Sequence, residues 1–193
     1  MRENIFRGKL TRLTAEDPGL LAQAFAKWDR DAGFKWLLDD APPMLWSVDK
    51  IKEWMEKELE NDESRSFFFG VRTLEEEQLI GFVDLWVNWV NDDAWVGIGL
   101  GERKYWGNGF GTDAMQLALS YAFTELNLHR VTLGVFDYNL RAQRSYAKAG
   151  FKLEGRLRGE LHRQGQRWDV LIMGILRKEW LEKNYFECAG EPA

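Results

Sequence analysis

Three glycines at alternate positions form the segment of this chain best suited to bind a charged ligand. They are Gly107, Gly109 and Gly111, and a helical pattern of apolar residues follows from Ala114. Glycine has no Cβ, so successive backbone N–H groups in such a segment can turn towards one point. The positive end of the following helix dipole lies at the same place. The spacing predicts a loop that binds phosphate or pyrophosphate; the other interpretation is a tight turn that only joins a strand to a helix.

Two nucleotide-binding patterns can be compared with this loop. The P-loop pattern G-x-x-x-x-G-K-[ST] is absent from the chain. The segment from Gly109 to Ala114 does satisfy G-x-G-x-x-[GA], and Asp137 follows the next predicted strand, where a dinucleotide site has its ribose-binding acid. However, about 55 residues follow Asp137, too few for the second half of a doubly wound sheet. For this reason an NAD-dependent oxidoreductase is only an alternative interpretation, and not the main one.

A second segment carries Asn139 and Tyr146 on one predicted helix. Asn139 is a good N-cap residue, and Tyr146 lies seven residues later, two turns along nearly the same face. A tyrosine hydroxyl that faces a cleft can donate a proton to a reacting group. The same tyrosine could equally be a half-buried packing residue, so this segment alone leaves both interpretations open.

Composition narrows the classes of protein to which the chain can belong. The 193 residues carry a formal net charge of −5, whereas a general nucleic-acid-binding protein needs a basic face. One cysteine, Cys188, excludes an intrachain disulfide, and with two histidines it leaves too few ligands for a structural zinc site. The chain has no apolar run of about 18 residues, and we expect no signal peptide because its first ten residues contain no apolar stretch. We expect a cytoplasmic protein with no metal and with neither a nucleic acid nor a membrane as partner.

The elements that would position these residues alternate irregularly between strand and helix. Asp17 and Pro18 open a first helix, Ser47 caps a second, and Gly150 ends a helix from about Leu140. The predicted helices are 18–28, 47–59, 114–126 and 140–149, and the predicted strands lie within 1–14, 67–71, 79–89, 94–100, 131–136, 151–161 and 168–176. The order β-α-α-β-β-β-α-β-α-β-β predicts a mixed α/β fold with antiparallel content. We expect one domain over residues 1–186 and a flexible tail over 187–193.

Together, the two segments resemble the GNAT superfamily of acetyl-CoA-dependent N-acetyltransferases. The similarity lies in G-N-G-F-G-T-D-A, in Y-A-F-T-E-L-N-L-H-R-V and in N-L-R-A-Q-R-S-Y-A-K-A-G-F-K-L-E-G-R, within Gly97 to Trp180. The chain is most similar to the branch that contains ribosomal-protein alanine and spermidine N-acetyltransferases. The resemblance implies a central, mostly antiparallel seven-stranded sheet with about four helices. It also implies transfer of an acetyl group from acetyl-CoA to a primary amine by direct attack within a ternary complex.

The resemblance also assigns residues to the site. The family loop that holds the pyrophosphate of CoA, [QR]-x-x-G-x-[GA], falls on residues 106–111, with Trp106 where Gln or Arg is usual. In the family, the preceding strand holds the pantetheine arm and one of its N–H groups stabilises the thioester oxyanion. Tyr146 matches the tyrosine that protonates the departing thiolate. The implied cofactor-binding residues are Ile98, Gly99, Leu100, Trp106, Gly107, Asn108, Gly109, Phe110, Gly111, Thr112 and Asn139.

Three aspartates are candidates for the general base, and a water relay is the alternative to all three. Asp84, Asp92 and Asp93 lie in the central predicted strands or their turn, where each could accept a proton directly or through water, or could be purely structural. A water relay to backbone carbonyls is the substitute. A non-catalytic module that binds acyl-CoA is the second alternative to the enzyme.

The acceptor is expected to be a small-molecule or peptide amine. The first two predicted helices and their surroundings are rich in acidic residues, which attract a cation such as a polyamine or a peptide N-terminus. Four tryptophans of the same region either line an acceptor channel or pack the helices, namely Trp28, Trp36, Trp46 and Trp54. The sequence does not indicate the oligomeric state; dimers are common among similar proteins, which makes a homodimer one candidate assembly.

Overall fold

A computed structural model describes residues 4–60 and 65–189 of the chain. Seven strands form one sheet, namely β1 (Thr11–Thr14), β2 (Ser66–Thr73), β3 (Leu79–Asn88), β4 (Asp93–Leu100), β5 (Arg130–Phe136), β6 (Lys152–Arg163) and β7 (Gln166–Leu176). The α-helices of the described residues are α1 (Pro18–Trp28), α2 (Ala32–Leu38), α3 (Val48–Glu60), α4 (Phe110–Thr124), α5 (Leu140–Ala149) and α6 (Arg177–Ala189). The predicted mixed α/β fold with a seven-stranded sheet is confirmed.

The sheet is antiparallel except at one place, where it divides. The strand order is β1-β2-β3-β4-β5-β7-β6, and only β4 and β5 run parallel. These two strands pair through three residues each and stop at Trp95 opposite Thr132, although β4 continues to Leu100 and β5 to Phe136. The carboxyl-terminal halves of the two central strands therefore leave a gap in the middle of the sheet.

Alternation along β3 separates two sets of side chains. Val83, Leu85 and Val87 are buried in the main core together with apolar residues of α4. Phe68 and Phe82 instead pack on the opposite face, in the smaller clusters that α1, α2 and α3 complete. Because successive side chains of a strand point to opposite faces, helices cover both sides of the sheet near the gap.

A buried carboxylate fastens the first strand to α4. Asp113, in the first turn of that helix, accepts hydrogen bonds from the backbone N–H groups of Lys9, Leu10 and Thr11 and from the Thr11 hydroxyl, at 2.7–3.0 Å. A negative charge is also favourable at a helix N-terminus. Asp113 therefore joins residues far apart in the sequence and fixes where α4 begins.

The helix α4 starts earlier than its apolar pattern predicts. It runs over Phe110–Thr124 rather than 114–126, because Gly109 is its N-cap and Gly111 lies in its first turn. The predicted ends of α1 and α5 are confirmed, with Asp17 capping α1 and Gly150 closing α5 at a φ of 115°.

Two helices were missed, so the prediction of about four helices was too low. The helix α2 has seven residues, too few for a clear apolar period, but the Asp31 side chain caps it by accepting from the N–H groups of Gly33 and Phe34. The helix α6 follows β7 with no Gly or Pro between them, and Trp180 anchors it against Phe123. It extends to 189, into the expected tail, whose last four residues lie outside the described part of the chain.

Candidate active site

The glycine loop presents unpaired backbone donors at the start of α4. Gly107 and Gly109 adopt φ values of 79° and 91°, which residues with a Cβ rarely adopt. No side chain caps the helix at Gly109, and the first intrahelical bond runs from the Asp113 N–H to the Gly109 carbonyl. The N–H groups of the first turn therefore have no intrahelical acceptor and are available to an anion.

A cavity of about 270 Å³ opens beside these donors, and we call it the loop-side cavity. Its walls include Gly107, Gly109, Gly111, Thr112 and the strand segment 98–100. Its charged lining residues are Arg141, Arg144 and Lys148, all from α5. Among the described residues that line it there is no carboxylate, so an anionic ligand meets no negatively charged side chain here.

Trp106 organises the rim of the loop-side cavity. Its indole N–H donates to the Leu100 carbonyl at 2.7 Å, which ties the loop to β4. The Arg141 guanidinium lies 3.8 Å from the centre of one Trp106 ring, and that of Arg103 lies 5.1 Å away. Burial and the charge of Arg103 lower the pKa of Arg141 below its usual range. Where the family pattern has Gln or Arg, this chain thus has an aromatic ring that holds a neighbouring cation.

Asn139 and Tyr146 lie where α5 meets the gap in the sheet. Asn139 caps α5 by accepting from the Ala142 N–H at 3.2 Å, and its amide also approaches the Leu37 carbonyl at 3.4 Å. Burial raises the pKa of Tyr146 to about 12, although the charge of Arg141 acts in the opposite direction. The phenol is therefore protonated at neutral pH, as a proton donor must be.

A larger cavity of about 550 Å³ lies under α1, α2 and α3, and we call it the helix-side cavity. The separated halves of β4 and β5 form part of its wall, through 96–98 and 134–136. It shares five lining residues with the loop-side cavity, namely Leu37, Leu38, Ile98, Asn139 and Tyr146. The gap in the sheet thus brings two cavities together, with Tyr146 at their junction.

Asp84 is the titratable group on the sheet floor of the helix-side cavity. It is 7 % exposed, and its Oδ1 has no hydrogen-bond partner. Burial raises the pKa of Asp84 to about 7, and the backbone N–H groups of Asp84 and Gly97 offset this only in part. Gly97 stands opposite Asp84 on β4, and a Cβ there would overlap the Asp84 carboxylate. A carboxyl group with a pKa near neutrality is suited to accept a proton.

The other two candidate bases lie elsewhere. Asp92 occupies the turn between β3 and β4 at a φ of 52°, and Asp93 begins β4 opposite Asn88. Neither lines either cavity. Of the three carboxylates, only Asp84 is therefore placed to meet a ligand in the gap.

Most of the predicted cofactor-binding residues line the loop-side cavity, and two do not. Asn108 is exposed and donates to the Lys104 carbonyl, while the Phe110 ring packs on Tyr105 with ring centres 4.8 Å apart. Neither of these two residues lines the loop-side cavity. Asp137, the acid of the dinucleotide alternative, is likewise absent from that lining and lies 3.7 Å from Arg156.

Sequence reasoning missed the cations of α5. Arg141, Arg144 and Lys148 follow one another at helical spacing and share a face with Ser145, whose hydroxyl is 2.8 Å from that of Thr112. That spacing was visible in the sequence and could have identified them. The walls supplied by α2 could not be found in the same way, because that helix was not predicted.

The four tryptophans of the acidic region have different positions. Trp28 is fully buried and Trp36 packs on Tyr138, whereas Trp46 and Trp54 line the helix-side cavity. Within residues 4–60 and 65–189, no three His, Cys, Asp or Glu side chains come together as a metal site. No helix in the same ranges is long and apolar enough to cross a membrane.

Comparison with known proteins gives one consistent result. The family described as "Acetyltransferase (GNAT) domain" matches residues 7–152. A probable N-acetyltransferase, YjcK, of Bacillus subtilis is 36 % identical over 132 residues, which cover 67 % of this chain and 71 % of the relative. The spermidine N(1)-acetyltransferase of Vibrio cholerae is 32 % identical over 139 residues, or 72 % of this chain and 78 % of the relative.

The fold has a solved counterpart of the same kind. A crystal structure of spermidine N-acetyltransferase from Vibrio cholerae, in complex with CoA and spermine, superposes with a TM-score of 0.79 at 28 % identity. The match covers 89 % of this chain and 98 % of that one.

Proposed function

The chain belongs to the GNAT acetyltransferase family, and on that premise we propose that it transfers an acetyl group from acetyl-CoA to a primary amine by direct attack in a ternary complex. One observation carries this proposal. The gap between β4 and β5 joins a cavity lined by cations and backbone donors to a cavity that contains Asp84, and Tyr146 stands at the junction. An anionic donor and a cationic acceptor can therefore approach one point from opposite sides of the sheet.

The loop-side cavity offers hydrogen-bond donors and positive charge, which suit the phosphate groups of CoA. The first-turn N–H groups of α4 suit a pyrophosphate, and the Arg141, Arg144 and Lys148 side chains supply positive charge beside it. Acetyl-CoA, when bound, supplies an acetyl group activated as a thioester. We assign Ile98, Gly99 and Leu100 to the wall beside that arm, where β4 still pairs with β3 but no longer with β5, so its backbone groups on the β5 side have no sheet partner.

Asp84 and Tyr146 divide the proton transfers between them. Asp84 accepts a proton from the acceptor ammonium, so that the nitrogen lone pair can form the C–N bond as the C–S bond breaks. Tyr146 donates its phenol proton to the departing sulfur, and the second proton released by the nitrogen restores the phenol. The high pKa of Tyr146 keeps it protonated for this role, and the near-neutral pKa of Asp84 keeps it a competent base.

Relatives suggest which acceptors to assay first. Two of the proteins above carry the name of spermidine N-acetyltransferase, which brings polyamines to this chain as candidates. Peptides with a free N-terminus are the other candidate, since the acidic region around α1 to α3 would attract any cationic amine. A homodimer is also proposed for this chain, and light scattering would test it.

The experiment is release of the CoA thiol from acetyl-CoA, measured with and without amines. We expect thiol release that depends on the amine, with formation of the acetylated amine seen by mass spectrometry. Binding of acetyl-CoA without turnover would instead support the non-catalytic module, and thermal stabilisation by NAD but not by CoA would support the oxidoreductase.

A matched pair of variants locates the donor site. Gly111→Trp should abolish acetyl-CoA binding, because a Cβ there is tolerated at 3.5 Å from Leu100 Cδ1 while a larger side chain extends into the cavity. Gly155→Trp introduces the same group on β6, where a Cβ meets open space, and should bind normally. At about 100 times its Kd, acetyl-CoA should stabilise wild type and Gly155→Trp by about 2.7 kcal/mol, and Gly111→Trp by nothing.

A further inference from the structure

The helix-side cavity provides carboxylate pairing for one ammonium group and an apolar surface for the rest of its ligand. We propose that the acceptor is a primary amine on an apolar, preferably aromatic, body with a single positive charge, and that polyamines are poor acceptors. This inference rests on the proposed function and narrows its substrate class.

Aromatic side chains form much of the wall of the helix-side cavity. Apart from Tyr146, the aromatic residues that line the helix-side cavity are Phe25, Trp46, Trp54, Phe68, Phe82, Trp86 and Phe136. Phe68 and Phe82 stack with centroids 5.6 Å apart, so part of this wall is fixed by its own packing. Trp54 and Trp86 are 47 % and 49 % exposed, which leaves apolar ring surface for a ligand to cover. An apolar body would gain from burying that surface, whereas a chain of ammonium groups would lose its hydration there.

The charged groups of the helix-side cavity are mostly paired with one another. Apart from Tyr146, four ionisable side chains line the cavity within the described residues, namely Asp29, Lys35, Asp39 and Asp84. Lys35 already lies between two of the carboxylates, with its Nζ 2.9 Å from Asp39 Oδ2 and 3.6 Å from Asp29 Oδ1. The Lys35 and Asp29 side chains are 13 % and 18 % exposed, whereas that of Asp39 is 35 % exposed, so the Lys35–Asp29 pair is the more sheltered from water. Only Asp84 is left without a cationic partner.

A polyamine would therefore be badly matched to this cavity. One of its ammonium groups can be placed at Asp84, but the others must either compete with Lys35 for Asp29 and Asp39 or stay unpaired against aromatic rings. A buried charge without a partner is strongly unfavourable. A monoamine such as 2-phenylethylamine meets no such penalty, and the cavity volume of about 550 Å³ is ample for it.

The test compares kcat/KM for 2-phenylethylamine and spermidine at saturating acetyl-CoA. We expect 2-phenylethylamine to be preferred by at least about tenfold, equivalent to 1.4 kcal/mol. A short peptide with an N-terminal phenylalanine tells whether the apolar amine comes as a small molecule or as a protein N-terminus. An equal or greater kcat/KM for spermidine overturns the inference but leaves the proposed function standing, whereas no turnover with any amine overturns both.

A charge variant tests the cause of the preference. Lys35→Met frees Asp29 and Asp39 and should raise the ratio of spermidine to 2-phenylethylamine kcat/KM by at least about tenfold, because two carboxylates become available. Lys52→Met is the matched control, since Lys52 pairs with Glu56 on the outer side of α3 and lines neither cavity. An unchanged ratio in a folded Lys35→Met protein would show that Lys35 does not set acceptor charge.

Discussion

At the scale of single residues, Asp84 and Tyr146 have pKa values shifted upward by the same cause but with different consequences. Burial raises the pKa of the Asp84 carboxyl to about 7, so near neutral pH this group can both release and accept a proton. Burial also raises the pKa of the Tyr146 phenol to about 12, so the phenol stays protonated. Groups whose environments separate their protonation states at one pH are the usual acid and base of an active site. The two residues border the same cavity from different elements, β3 and α5.

Replacing Tyr146 tests the proton donor. Tyr146→Phe removes one hydroxyl and should lower kcat by roughly 10²- to 10⁴-fold, the range of a general acid, with little change in acetyl-CoA affinity. Tyr121→Phe is the control, since Tyr121 packs against Phe67 and Phe69 outside both cavities. Unchanged turnover in Tyr146→Phe would remove this residue from the mechanism.

Replacing Asp84 tests the base through the pH profile. In wild type, kcat/KM should rise as pH increases through about 7, because the carboxylate form accepts the proton. Asp84→Asn should be slow and lose that inflection. A wild-type inflection that persists in Asp84→Asn would assign it to another group.

Asp84→Asn is expected to slow catalysis but to stabilise the fold at neutral pH relative to wild type, because it removes a buried carboxylate. A carboxyl whose folded pKa is raised from 3.8 to about 7 contributes stability below pH 4 that is lost as pH rises to 7. The free energy of unfolding of Asp84→Asn relative to wild type should therefore increase between pH 4 and pH 8, by up to roughly 4 kcal/mol. Denaturant unfolding at both pH values measures it.

Sequence alone could not choose among the three aspartates. Asp84, Asp92 and Asp93 all fall in or near central strands, and what separates them is burial. Alternation gave a partial signal, because Asp84 stands among Phe82 and Trp86 on the face opposite Val83 and Leu85. Alternation predicts on which face of the sheet Asp84 lies, but it does not predict the helix-side cavity, because helices distant in the sequence form the rest of that cavity.

At the scale of elements, caps and periodicity predicted those segments that carry strong local signals. Asp17 with Pro18 and the glycine after α5 defined helix ends correctly, and all seven strands were found. The helices α2 and α6 were missed because one is a short segment and the other continues from a strand. The gap between β4 and β5 was not predicted either, since strand pairing depends on tertiary contacts that no local pattern records.

The attachment of α4 to the first strand can be tested separately from catalysis. Asp113→Ala removes the acceptor of four hydrogen bonds and leaves their donors buried or half-buried, so it should destabilise the fold by roughly 2–4 kcal/mol. The melting temperature should fall by about 5–15 °C. Glu75→Gln, at an exposed turn, is the control and should change it little. A small effect of Asp113→Ala would mean that the strand is held by its other contacts.

At the scale of the whole molecule, the sheet separates two groups of helices, and the gap between β4 and β5 lies between them. Cations and helix-terminal donors collect on the side of α4 and α5, and carboxylates collect under α1, α2 and α3, while the net charge of the chain is only −5. An anionic and a cationic ligand would thus be attracted to different cavities, and these adjoin at the gap. The proposed ternary-complex mechanism places both ligands in these adjoining cavities at the same time.

Two-substrate initial-rate kinetics test that mechanism most directly. Acetyl-CoA and 2-phenylethylamine are each varied at several fixed concentrations of the other, and thiol release is recorded. The proposed transfer within a ternary complex predicts double-reciprocal lines that intersect. Parallel lines, together with an acetyl group retained on the protein when the amine is omitted, would contradict it.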